Sequence, residues 1–254
     1  ETMQAKIENE LGHSLTVKWN LTLLTNAISV EIPYKDVAMI RGMEGVKKVE
    51  LENQYEAPEP VDANPNTANT SENMVGATNA WYQLGYTGAG SRVAIIDTGL
   101  DTDHQSVNND AFLHAIEEVR AEGKTVDLTL NIPSSGLNGA GVKISDKIPF
   151  AYNYIDGGTR VNHQDSASNH GSHVAGIAAA NRYIKSGSNY VDAAETVKAV
   201  GMAPDAQILV MKVFGTNGGA YDSDYFAALE DAIVLGADAA NLSLGSASPG
   251  WAYD

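Results

Sequence analysis

The chain has 254 residues, no cysteine and a formal net charge of −16. The absence of cysteine excludes disulfides, thiolate metal sites and a cysteine nucleophile, and so acidic a surface argues against nucleic acid as a partner. A hydrophobic content of 43% with 24 glycines suits a large α/β domain rich in tight turns, and no apolar run is long enough to cross a bilayer.

Residues 1–57 read as a small module. Ala5, Ile7 and Leu11 fall near one face of a short helix, and 15–19 and 27–32 are rich in β-branched and aromatic side chains, as strands are. Residues 34–41 follow Pro33 with a second helical pattern that stops at Gly42, and 45–51 read as a last strand. This order predicts a small α/β sandwich of ferredoxin-like type. Residues 58–72 are rich in Pro, Asn and Thr without periodicity and read as a linker.

The remainder, 73–254, opens with a helix over 74–84, closed by glycine turns from Gly85 to Gly90. A buried strand over 92–96 and an amphipathic helix over 110–122, with Phe112, Leu113, Ile116 and Val119 as its stripe, come next. Residues 123–149 read mostly as loop, 150–155 as a strand and 170–180 as a helix of small residues. The continuous apolar run 207–214 predicts a strand covered on both faces. A helix over 223–235 and a strand over 238–244 complete the order. Strands alternating with helices give a parallel doubly wound sheet.

Two short motifs carry chemistry. Val93-Ala94-Ile95-Ile96-Asp97-Thr98-Gly99 reads as a buried strand ending on a carboxylate at a tight turn. Its carboxyl end is where ligands of open α/β sheets gather. Asn169-His170-Gly171-Ser172-His173-Val174-Ala175-Gly176 reads as a helix that starts on an imidazole, with Asn169 as its N-cap. A carboxylate that orients an imidazole, and an imidazole that takes the proton of a weak nucleophile, are two members of a hydrolytic triad. His173 has the offset to face the core. A metal pair of His170 and His173 is disfavoured, because metalloprotease helices space two His by four residues around a Glu.

In this order the motifs resemble the Asp and His segments of the subtilisin-like serine proteases (subtilases). The resemblance implies a subtilisin-like parallel doubly wound sheet, here its N-terminal part, preceded by a propeptide over 1–57 that acts as an intramolecular inhibitor. It implies catalytic roles for Asp97 and His170. It also implies a peptide or protein substrate docked as an added strand between Gly218-Gly219-Ala220 and Ser243-Leu244-Gly245, where glycine permits close backbone approach. The inserted helix and loop between Asp97 and His170, with the string from Ile148 to Tyr154, look like the larger cell-envelope proteinases of Gram-positive bacteria, the lactocepin and C5a-peptidase-like group. A secreted or envelope-associated location follows, and the first residue, Glu1 rather than Met, fits removal of an upstream segment. No cofactor is expected. Calcium occurs in the family, but the position that often carries an acidic ligand is Ser106, and the loop after Ala180 is longer than in compact members.

The family's Gly-Thr-Ser-x-Ala segment is absent, and the string 245–249 has the wrong spacing to replace it. The nucleophilic Ser and the oxyanion Asn are therefore expected on a downstream segment or second chain, and residues 1–254 alone should be inactive. The alternative is a subtilase-like pseudoprotease that binds a peptide or protein without cleaving it.

Overall fold

The computed structural model describes residues 2–58, 75–162, 168–194, 196–197 and 199–245. Its centre is a four-stranded parallel sheet ordered β10-β4-β8-β5, from β4 (Arg92–Asp97), β5 (Phe150–Asn153), β8 (Gln207–Lys212) and β10 (Ala239–Asn241). β8 is buried along its whole length, as its unbroken apolar run requires.

Alternation along these strands divides the core in two. Ala94, Ile96, Phe150, Leu209 and Met211 pack on one side against Ala227, Ala228 and Ala232 of α6 (Asp222–Val234). Ile95, Ala151, Ile208 and Val210 pack on the other against Val174, Ala175 and Ala179 of α5 (His170–Ala179). The alanines of both helices let their axes lie close to the sheet. α3 (Ala77–Tyr82) buries Trp81 in a separate small cluster, and α4 (Asn109–Ala121) buries Phe112, Ile116 and Val119 over Val126. The long segment after α5 forms a hairpin, β6 (Tyr183–Ser186) with β7 (Asn189–Asp192), whose Tyr183 and Tyr190 hold His114 of α4 between their rings.

The first residues form α1 (Met3–Leu11), an antiparallel pair β1 (Thr16–Leu21) and β2 (Ala27–Glu31), and the short α2 (Val37–Arg41). Ile7, Leu15 and Ile40 are the centre of their own small core. The expected last strand over 45–51 does not form; Val46 and Val49 cover that core from irregular backbone, and pairing begins later, at β3 (Gln54–Glu56). β3 joins neither β1 nor β2 but β9 (Gly219–Tyr221). The sandwich is thus two helices on a two-stranded sheet, because residues 45–51 cover its core without pairing and the next strand, β3, pairs with β9 instead.

The far face of that hairpin lies on α6. Trp19 and Leu21 belong to the same apolar cluster as the central sheet, with the Trp19 ring 5.9 Å from that of Tyr154. The indole Nε1 of Trp19 donates to Asp224 Oδ1 at 2.8 Å, beside the Lys18–Asp224 ion pair at the same distance. Glu230 accepts the backbone N–H groups of Thr22, Leu23 and Leu24 at 2.8–3.2 Å.

Candidate active site

β4 delivers Asp97 to the carboxyl end of the sheet, where the residue is 1% exposed. Thr98 N–H donates to Asp97 Oδ1 at 2.7 Å, which fixes the carboxylate against its own backbone. The chain then turns at Gly99, whose φ of +110° is open to glycine; a Cβ there would lie 2.1 Å from the Val161 carbonyl oxygen.

α5 brings the imidazole to this carboxylate. His170 is its first residue, and His170 Nδ1 lies 2.9 Å from Asp97 Oδ1 and 3.0 Å from Oδ2. An ionised carboxylate only accepts, so Nδ1 carries the proton and Nε2 keeps the lone pair that can take one. The approach is close because the next residue lacks a side chain: a Cβ on Gly171 would meet Gly99 O at 2.3 Å and Gly99 N at 2.9 Å. Gly171 N–H donates to Thr98 Oγ1 at 2.9 Å, and Asp101 N–H to Ser172 Oγ, also at 2.9 Å. Helix start and strand end are thereby tied together on both sides of the pair.

Two expectations about this helix are corrected. Asn169 stands at the N-cap but makes no capping bond through its side chain; Ser168 Oγ accepts the His170 N–H instead, at 3.2 Å. His173 is half-buried rather than in the core, because the small residues Gly171, Val174, Ala175 and Ala179 take the inward positions.

The glycine edge is occupied. β3 lies antiparallel to β9, with Tyr55 opposite Ala220 and Glu56 opposite Gly219, and Ala57 N–H donates to Gly218 O at 2.6 Å. Gly218, Gly219 and Ala220 therefore receive an extended segment of the chain itself, by the strand addition expected of a peptide ligand. On the other side Ser243 and Gly245 are exposed, and Leu244 is half-buried against the cluster that also holds Tyr55 and Ala57. Ser243 Oγ donates to Asn241 Oδ1 at 2.9 Å. Among the described residues there is no group of three or more His, Cys, Asp or Glu placed to hold a metal ion.

Sequence reasoning overlooked Lys212. It is fully buried opposite Asp97 in the strand register, and its Nζ donates to Thr98 O at 2.6 Å, bracing the turn that carries the carboxylate. A lysine inside an otherwise apolar run was the available signal. Also overlooked was Asp222 at the start of α6, whose carboxylate takes hydrogen bonds from Asn53, Tyr55 and Tyr225. Its partners lie far away in sequence, so no local pattern marks it.

The family model described as the subtilase family matches residues 88–252. The PI-type proteinase of Lactococcus lactis subsp. cremoris is 32% identical over 230 residues, 89% of this chain and 11% of that protein. The minor extracellular protease Vpr of Bacillus subtilis (strain 168) is 28% identical over 237 residues, 89% of this chain and 24% of that protein. A C5a peptidase of Streptococcus pyogenes serotype M3 is 34% identical over 167 residues, 65% of this chain and 13% of that protein. The chain spans about a tenth to a quarter of the length of these relatives. With a family match over more than half its length, and an aspartate and a histidine joined at the carboxyl end of a parallel sheet, the chain belongs to the subtilase family of serine proteases.

Proposed function

We propose that this chain supplies Asp97 and His170 to the Ser-His-Asp triad of a serine endopeptidase, with the Ser and the oxyanion Asn on a segment outside residues 1–254. The observation that carries this reading is the buried Asp97 carboxylate 2.9 Å from His170 Nδ1. Asp97 holds the tautomer. His170 Nε2 takes the proton from the serine Oγ as Oγ bonds to the scissile carbonyl carbon, and returns it to the leaving amine as the C–N bond breaks. Water, deprotonated by the same nitrogen, then hydrolyses the acyl-enzyme.

Residues 1–57 act as propeptide and inhibitor, 58–72 as the linker, and 73–254 as the N-terminal part of the catalytic domain. The seating of residues 54–57 on the glycine edge supports inhibition, since a substrate needs the same carbonyl and N–H groups. The family resemblance and the extracellular protease among the relatives support a secreted or envelope location.

A fluorophosphonate probe tests the proposal. A polypeptide carrying residues 1–254 and the downstream segment should label on that segment, and His170→Ala should abolish labelling. Asp97→Asn should lower kcat about 10⁴-fold. A longer polypeptide that binds peptide but neither labels nor cleaves would replace the endopeptidase with the peptide-binding alternative.

A further inference from the structure

Tyr55 enters the glycine edge with its side chain over the start of α6. Its hydroxyl donates to Asp222 Oδ1 at 2.8 Å, and its ring lies edge-on to that of Tyr225, centroids 6.1 Å apart. Tyr225 OH donates to the same Oδ1 at 2.7 Å, while the Asn53 N–H and Nδ2 donate to Oδ2 at 3.1 and 2.9 Å. Burial raises the Asp222 pKa, but the donors from Tyr225, Asn53 and Tyr55 outweigh it and hold the carboxyl below its usual range. The subsite is therefore an aromatic slot floored by an anion. Its Oδ1 already accepts one phenol from the protein and accepts a second from the docked strand.

We propose that Asp222 is a specificity-determining residue that selects peptides with a tyrosine two residues before the one whose N–H bonds the Gly218 carbonyl. This rests on the reading that residues 54–57 dock as a substrate does. A phenylalanine fills the slot but leaves Oδ1 one donor short. A lysine offers a charge, but it lacks the ring that packs against Tyr225. A charge-assisted hydrogen bond in a partly covered site discriminates by about tenfold or more.

Two measurements on the protein including its downstream segment test this. Internally quenched peptides copying residues 51–62, with Tyr, Phe or Lys at the position of Tyr55, give relative kcat/KM values on protein freed of residues 1–57. The Tyr peptide should exceed the Phe peptide by about tenfold, and Asp222→Asn should bring the ratio close to one. Hydrogen exchange at the Ala57 amide needs no catalysis. Tyr55→Phe should speed exchange about tenfold in the parent, with little further effect in an Asp222→Asn background. Equal cleavage of Tyr and Phe peptides, or preference for Lys, overturns the proposal and leaves the protease standing. Coupled exchange without any cleavage leaves the subsite standing and overturns the protease.

Discussion

At the scale of residues, the contact between β4 and α5 is set by atoms that glycine omits. Gly171→Ala would press a methyl group onto the backbone of Gly99, which has no flexible end to yield. The expected result is a loss of at least about 10²-fold in activity, through displacement of His170 from Asp97. Gly176, on the same helix, has nothing within 4 Å of a built Cβ. Gly176→Ala should therefore keep activity and raise stability by about 0.5–1 kcal/mol. Melting temperatures and relative rates of the two variants, made in the polypeptide that includes the downstream segment, check both halves. Lys147 offers a pH test. It is fully buried, with Nζ donating to the carbonyls of Pro204 and Ala206 at 2.8 and 2.7 Å. Burial pushes its pKa down to about 7, against the pull of Asp205. A neutral amine keeps enough N–H groups for both carbonyls. Between pH about 7 and about 10.4 the unfolded chain holds a proton that the folded state sheds, so stability rises with pH across that window. Melting at pH 7, 8 and 9 should show the parent gaining on Lys147→Met; a constant difference would refute the assignment.

At the scale of elements, the hairpin β1–β2 is held to α6 by acceptors on one helix. Glu230 takes three consecutive amides and Asp224 takes an indole and an ammonium. Glu230→Gln should weaken docking by about 1.5–3 kcal/mol, read as faster exchange of the hairpin amides. Burial opposes ionisation of Glu230, but its backbone donors prevail and lower the pKa. The contribution is therefore complete above about pH 4.3, and the difference between parent and variant should vanish as pH falls through the lowered value. Much of this architecture was legible in the sequence. The apolar runs of β4 and β8, the stripe of α4 and the helix after Asn169 are local patterns, and each stands within a residue or two of its expected place. The meeting of Asp97 and His170 was legible because both motifs lie at element ends. The strand over 45–51 was not, because Val46 and Val49 serve the small core without pairing. The pairing of β3 with β9 was hidden because its partners are remote in sequence, whereas the hairpin β6–β7, closed by Gly187-Ser188, carried a local turn signal that the sequence reading passed over.

At the scale of the whole molecule, the central sheet has, among the described residues, the short β10 at one edge with exposed positions. Ala239 and Ala240 of β10 are exposed, as are Ile233 and Val234 at the end of α6. Such an edge is a template for another strand, and it fits the proposal that the triad is completed from elsewhere. Residues 1–254 expressed alone should not label with fluorophosphonate and should self-associate, whereas inclusion of the downstream segment should give labelled monomer. Stoichiometric labelling of the 254-residue polypeptide would overturn this. The seating of Trp19 in the apolar cluster beside Tyr154 has an optical consequence. The indole sits on the module that an activating cut would set free, while Trp81 stays in its own cluster on the other part. Release of residues 1–57 would carry Trp19 from a dry interior into solvent, so in a Trp251→Phe background the emission maximum should move to longer wavelength while the Trp81 component holds still. On the proposed propeptide reading, Trp19 would serve as a built-in dye, and release of the module could be followed in a cuvette without any label.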